Sequence, residues 1–291
     1  MKYCLNARCK EELLYEVDEI SVLWRDRDSL LDLSKKFPDK TFILYKATTI
    51  DPEIDQTEAW QKIKEYNYYL KEKLIVMLSN FEDIDYAREN NIKFFMAYPV
   101  TNYFELRRLI ELEVSYIKLG MPLFFELDRV KSITDIPIRA IPNIAYDDGL
   151  GSREGVFGQW IRPEDLHTIY ADYIDAVEFA AYHVEQEELI YDVYRKRRFW
   201  PYDLESLIIN LNYPGENKLI SKAVTAQRIN CGHDCQKTGR CQICKKALDI
   251  ANTTIAKEYI KKLYPDLLPT EKELMEYEKE AFPYFDVNKN S

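Results

Sequence analysis

Several features are scarce in this sequence, and each scarcity narrows what the chain can be. No apolar run approaches the roughly 18 residues that a membrane-spanning helix needs, and residues 1–4 lead into charged sequence rather than the apolar core of a signal peptide. Basic residues are also fewer than acidic residues: 40 Lys and Arg against 50 Asp and Glu give a net charge of −10. The net charge therefore does not attract the chain to nucleic acid or anionic membrane. We therefore expect a cytoplasmic protein without a membrane segment.

Glycine is scarce as well, with 8 residues in 291. An open dinucleotide-binding sheet needs a glycine-rich first turn, but residues 24–27 read Trp-Arg-Asp-Arg after the first predicted strand. The 46% hydrophobic fraction nevertheless supports a globular core. The composition is typical of low-GC coding sequence, such as that of a Firmicute or one of its phages.

What is present is a regular alternation of short apolar runs and amphipathic stretches. Strands are predicted at residues 20–24, 41–47, 74–78, 93–98, 116–119, 138–142 and 175–180, each followed by a helix, at 28–37, 57–73, 81–90, 103–113, 126–132, 163–173 and 184–196. Continuous apolar strands separated by helices indicate a parallel sheet buried on both faces. We predict a (β/α)8-like TIM barrel over residues 1–205, with an open sheet as the alternative, and a helical extension over 206–291.

The extension contains the densest chemical motif of the chain. Four of the six cysteines fall within residues 231–244, as C-x3-C-x5-C-x2-C. Such closely spaced thiolates can bind one metal, and zinc and an iron-sulfur cluster both suit four sulfur ligands. Free redox-active thiols or disulfides are the alternatives. The predicted ligands are Cys231, Cys235, Cys241 and Cys244; Cys4 and Cys9 are interpreted as small core residues.

In a barrel, functional side chains follow the carboxyl ends of the strands. The candidates for acid/base chemistry there are Glu126, Asp147, Asp148 and Glu178. Glu178 alternates with Val177 and Phe179, so it should point into the barrel if those two face the helices. A partner in the interior, Arg139 or Lys118, is the alternative to a catalytic role for Glu178.

A basic run closes the last predicted barrel helix, at Arg195, Lys196, Arg197 and Arg198, and two aromatic residues follow it. Cations beside aromatic rings are typical of nucleic-acid contacts, which makes nucleic acid a possible partner. The alternative is a solvated helix end whose positive charge complements the helix dipole.

Several segments resemble the collagenase-like peptidases, a barrel family that includes ubiquinone-hydroxylation and RNA-hydroxylation proteins. The resemblance covers roughly residues 70–200 and rests on segments 98–102, 116–119, 125–127, 161–166, 176–179 and 194–195. It implies a barrel, a peptidase-like or hydroxylase-type activity and an iron-sulfur cluster. The family's cysteine-rich insertion would fall between Asn143 and Trp160, where this chain has no cysteine, so any cluster would use Cys231–Cys244 instead.

The order of parts also resembles the tRNA-guanine transglycosylases. In that barrel family a Pro-x-Asp-Leu segment precedes the strand with the catalytic aspartate, and a zinc site follows it; the matching positions here are residues 163–166, Asp175 and Cys241–Cys244. This resemblance implies nucleic-acid modification with zinc. A third reading is a non-catalytic binding or structural protein, for instance one encoded by a phage, whose cysteines are purely structural.

Overall fold

The strands of the protein are short and carry apolar residues on both faces. The computed structural model describes residues 1–46, 55–120, 123–143 and 160–195, together with Ala226 and Ile229. Its strands are β1 (Lys2–Asn6), β2 (Glu19–Leu23), β3 (Thr41–Lys46), β4 (Leu74–Leu78), β5 (Lys93–Met96), β6 (Arg139–Ala140) and β7 (Ala176–Val177). All seven belong to one parallel sheet in the order β5-β4-β3-β2-β1-β7-β6. The protein is thus an α/β protein built on a parallel sheet.

Helices lie between successive strands. They are α1 (Glu11–Glu16), α2 (Leu30–Lys36), α3 (Gln56–Leu70), α4 (Asp83–Glu89), α5 (Tyr103–Glu111), α6 (Leu127–Lys131), α7 (Pro163–Leu166) and α8 (Val184–Arg195). Two helices begin at a side-chain cap: Asp55 accepts hydrogen bonds from two amides of α3, and Asn102 does the same for α5. Helix α3 ends at Lys71, which adopts a φ of 50° in the left-handed region.

The two faces of the sheet are buried in different surroundings. Side chains such as Phe42 and Leu44 of β3 belong to the large core shared with the helices, whereas Ile43 packs in a smaller cluster with Cys4, Ile75 and other residues of the opposite face. Side chains on this second face meet across several strands, as when Tyr45 of β3 bonds the side chain of Glu178, which follows β7. The sheet therefore curls, and we call this second face the concave face.

The predicted alternation of strands and helices is confirmed in part. All seven predicted strands overlap β2 to β7 or the bridged residues near 117, but β1 and α1 were not predicted. β1 was not predicted because its apolar run is only three residues long, yet it lies between β2 and β7 in the sheet. The helix predicted over 163–173 is wrong beyond α7, because turns follow Leu166.

The segment predicted as a strand at 116–119 makes only isolated pairings. Val100 pairs with Leu119, and Ile117 pairs with Ile138, both in parallel. The Ser115 amide also donates to the Phe94 carbonyl, at 2.8 Å. The segment thus contacts residues after β5 on one side and residues next to β6 on the other.

One charged pair is buried between the sheet and its helices. Lys46, at the end of β3, points to the helix side with Phe42 and Leu44, and its Nζ lies 2.7 Å from Oδ2 of Asp83 on α4. The indole N–H of Trp60 on α3 donates to the other carboxylate oxygen at 3.1 Å. The last residue of β3 is therefore held in a buried ion pair on the helix side of the sheet.

None of the helices that the structure describes is both long and apolar enough to cross a bilayer.

Removing Asp83 should strongly destabilise the fold. In Asp83→Ala, the Lys46 ammonium group stays buried without its carboxylate, which typically costs about 3–5 kcal/mol of unfolding free energy. Urea denaturation would measure it. Asp32→Ala is the control, because the Asp32–Lys35 pair is exposed (84% and 77% of the two side chains) and should contribute no more than about 1 kcal/mol. Equal effects of the two substitutions would contradict the importance of the buried pair.

Candidate functional site

Four charged side chains are buried together on the concave face. Strand alternation places Glu19, Arg139 and Glu178 there, and Lys118 reaches the same place from the segment after α5. We call these four residues the interior charge cluster. Each comes from a different strand or segment, so the cluster joins parts of the chain that are far apart in sequence.

Glu178 is held by three donors. Tyr45 Oη donates to Oε2 at 2.9 Å, Arg139 Nη1 lies 3.2 Å from the same oxygen, and Lys118 Nζ bonds Oε1. Burial alone would raise the pKa of Glu178, but the charges of Lys118 and Arg139 outweigh burial and lower the pKa below its ordinary value. Glu178 is therefore a firmly ionised acceptor rather than a group ready to take up a proton near neutral pH.

Arg139 connects the two carboxylates. Its Nη2 bonds Glu19 while its Nη1 faces Glu178, and its guanidinium lies 4.4 Å from the ring centroid of Tyr116. Tyr116 Oη also donates to Glu19. With two acids and two bases, the interior charge cluster has no net charge, which is the condition under which buried ions are tolerated.

A small cavity adjoins this cluster. It has a volume of about 20 Å³ and is lined in part by Lys118 and Arg139. The Nε atom of Arg139 has no hydrogen-bond partner among the residues that the structure describes. A space of this size holds one water molecule but no organic substrate. The concave face is therefore packed rather than open.

The predicted orientation of Glu178 is confirmed, and the structure supplies both partners that were considered for it. Val177 and Phe179 face the helix-side core, and Glu178 bonds Lys118 and Arg139. A catalytic role for Glu178 stays a prediction. Its engagement with three donors favours the structural role.

Glu126 lies elsewhere, immediately before α6. It accepts a hydrogen bond from Tyr103 Oη, and Arg129 Nη1 lies 3.2 Å away. Burial, together with the bond to Glu126, raises the pKa of Tyr103 to about 12. Glu126 thus links α5 to α6 and shares no described contact with Glu178.

Ile229 lies close to this point. It is buried, and its carbonyl accepts a hydrogen bond from the Leu127 amide at 3.5 Å. Because α6 follows the 115–119 segment, the start of α6 lies at the carboxyl edge of the sheet. The chain therefore passes this edge two residues before Cys231.

The remaining predicted site residues lie mostly outside the described residues. They are Asp147, Asp148, Cys231, Cys235, Cys241, Cys244, Lys196, Arg197 and Arg198. Arg195 is described and pairs with Glu16, so the first cation of the basic run has a protein partner. Cys4 and Cys9 are free thiols, both buried as expected of core residues. No group of three or more potential metal ligands occurs among the residues that the structure places.

Glu187 was missed by sequence reasoning. It lies in the first turn of α8, and its Oε1 accepts a hydrogen bond from the Asn6 amide at 2.8 Å, at the carboxyl end of β1. Burial, assisted by the charges of Glu178 and Glu188, raises the pKa of Glu187 to about 7. A carboxyl group with such a pKa can exchange protons near neutral pH. Nothing in the sequence distinguishes Glu187 from the other glutamates of α8.

Comparison with known proteins adds no relative: no family model matches the chain, and no curated protein matches it. The two family resemblances therefore rest on their short segments alone. In the structure, 98–102 joins β5 to α5, and 176–179 begins with β7. These segments lie where a strand-helix fold would place them, which agrees with the fold and carries no information on activity.

Replacing Glu178 should cost stability in a way that a second substitution reverses. Glu178→Gln leaves Lys118 and Arg139 facing a single remaining carboxylate, so we expect a loss of about 3 kcal/mol or more in unfolding free energy. The double variant Lys118→Met, Glu178→Gln restores charge balance and should recover much of that loss. Urea denaturation of the wild type, both single variants and the double variant gives the coupling free energy. Additive losses would contradict the pairing.

Glu187 should make stability depend on pH between about 5 and 7. The folded protein keeps the proton of Glu187 up to about pH 7, whereas an unfolded chain releases it near the ordinary value of 4.5, so stability falls as pH rises through this window. In Glu187→Gln this fall should disappear. Thermal unfolding at several pH values measures how stability changes with pH. Glu185→Gln is the control: it changes an exposed carboxylate in the same helical turn and should behave like the wild type. An unchanged pH profile in Glu187→Gln would show that Glu187 has an ordinary pKa.

Proposed function

We propose that this chain is a metal-binding barrel protein whose ion is held by Cys231, Cys235, Cys241 and Cys244 beside the carboxyl edge of the sheet. The observation that carries the proposal is the position of Ile229, buried against the start of α6 two residues before Cys231. The donor set fits the metal, because four thiolates can complete a tetrahedral zinc site or an iron-sulfur cluster. A reducing cytoplasm would keep these thiols free to bind it.

We propose further that the curled sheet belongs to a (β/α)8-like barrel in which residues 115–119 act as the missing strand. The bond from Ser115 to Phe94 and the bridges of Leu119 and Ile117 support this, since they span the gap between β5 and β6. The interior charge cluster supports it too, because Glu19 of β2 and Arg139 of β6 meet across the concave face. In a small barrel the interior is filled by side chains in this way.

In such a barrel, chemistry takes place at the carboxyl edge. We propose that Glu187 is the carboxylate there that exchanges protons, with Glu126, Asp147 and Asp148 as further groups of the same edge, and that Glu178 serves the fold. The resemblance to collagenase-like peptidases implies a peptidase-like or hydroxylase-type reaction. The bond of the Asn6 amide to Glu187 supports an acid/base role, because it fixes the carboxylate at the end of a strand.

Metal analysis tests the proposal directly. Protein purified without oxygen should contain stoichiometric zinc and be colourless, or contain iron and sulfide and absorb visible light. Cys241→Ala and Cys244→Ala should lose the metal. Cys9→Ala is the matched control, because Cys9 is a buried thiol of the helix-side core and should leave the metal content unchanged. Metal-free wild-type protein, or disulfides joining the four thiols, would contradict the metal site.

A further inference from the structure

An aromatic pocket opens at the carboxyl end of β5. Its volume is about 300 Å³. Its lining includes the rings of Phe81, Tyr98 and Phe104, the buried Met96, and two charged side chains, Glu105 and Arg108. We call it the aromatic pocket. It is distinct from the interior charge cluster, because none of those four charged residues lines it.

The rings of this pocket are unusually open to solvent. Phe104 is 78% exposed, Phe81 is 42% exposed and Tyr98 is 37% exposed. Phe81 and Tyr98 already pack against each other, with ring centroids 5.4 Å apart. Single exposed apolar residues are ordinary, but three rings around one concavity form an apolar surface that a ligand could cover.

The two charges of the pocket are not equivalent. Glu105 is tied to the start of its own helix, because its Oε2 accepts bonds from the amide and the hydroxyl of Thr101 at 3.1 and 3.4 Å. Arg108 has no salt-bridge partner in the described part of the chain, and its guanidinium lies 5.0 Å from the ring centroid of Phe81. A guanidinium over a ring keeps N–H donors at its edge that can bind a phosphate. Arg108 is therefore the charged group of the pocket whose donors can bind a ligand, while the carboxylate of Glu105 is engaged at the start of α5.

We propose that the aromatic pocket binds a nucleotide, with the base stacked on the aromatic rings and the phosphate bound by Arg108. A base offers a flat π-face to the rings, and the attached phosphate is the anion that Arg108 lacks. The volume lies at the lower end of the range for small-molecule sites, about 300–1,000 Å³, which suits one nucleotide. The inference extends the proposed function, because it rests on ligands binding at the same carboxyl edge and names their class.

Binding can be measured by isothermal titration calorimetry of the full chain with four probes: AMP, adenosine, inorganic phosphate and a short single-stranded oligo(A). AMP should saturate one site and bind more tightly than adenosine or phosphate. Phe104→Ala and Arg108→Ala should each weaken AMP binding about tenfold or more, as expected for loss of a stacking or phosphate contact. Tighter binding of the oligonucleotide would also support the proposal and identify single strands as the source of the nucleotide.

Two control variants test whether these effects are local. Arg107→Ala removes a neighbouring exposed cation of α5 that does not line the pocket, and Tyr68→Ala removes a ring with a similar exposure of 74% elsewhere. Both should bind AMP as the wild type does. Absence of saturable AMP binding up to about 5 mM, phosphate binding as tight as AMP binding, or equal losses in Arg107→Ala and Arg108→Ala would overturn the proposal.

Metal content measured on the same preparation separates this inference from the proposed function. Metal-loaded protein that fails to bind AMP contradicts the nucleotide site alone. AMP binding by wild-type protein that contains no metal contradicts the proposed metal site and supports the nucleotide site.

Discussion

The guanidinium of Arg139 is the centre on which the concave face of the sheet depends. It bonds Glu19 from β2 and faces Glu178 beyond β7, while Lys118 bonds the other oxygen of Glu178. Each of these ions is buried, so each would be costly without its partners. Their mutual satisfaction requires the sheet to curl until β2, β6 and the end of β7 face one another. Burial and opposite charge together thus fix the position of β2 relative to β6 and β7, with which β2 is not paired in the sheet.

The same interaction limits what the concave face can do. The carboxylate of Glu178 is occupied by three donors and its pKa is lowered, so it is a poor proton acceptor. The rings of Phe95 and Tyr116 contact Arg139 and fill more of the space. The adjoining cavity is only about 20 Å³. Polar residues inside a curled sheet are therefore not evidence of catalysis when every charge has its counterion nearby.

The sequence was sufficient to predict features that depend on strand alternation. It was insufficient for features that depend on where a residue lies in the folded protein. Alternation about Val177 and Phe179 was sufficient to orient Glu178, and the cost of an unpaired buried carboxylate pointed to Arg139 or Lys118 as its partner; the structure shows both. β1 has too short an apolar run to predict, and only its pairing with β2 and β7 shows that it is a strand inside the sheet. The pKa of Glu187 depends on burial and on distant charges, which no local pattern encodes.

The aromatic pocket and Ile229, which precedes the cysteine segment in the sequence, lie closer together than their sequence separation indicates. Tyr103, next to Phe104 of the pocket, bonds Glu126 at the start of α6, and the Leu127 amide that follows Glu126 bonds Ile229. Two hydrogen bonds, joined by residues adjacent in the chain, therefore lead from the pocket to Ile229. Because parallel strands bring their following loops to one edge, neighbouring strand-helix units supply both places. A ligand stacked on Phe104 would thus lie on the same side of the sheet as Ile229, and Tyr103 and Glu126 would form the physical connection between the two places.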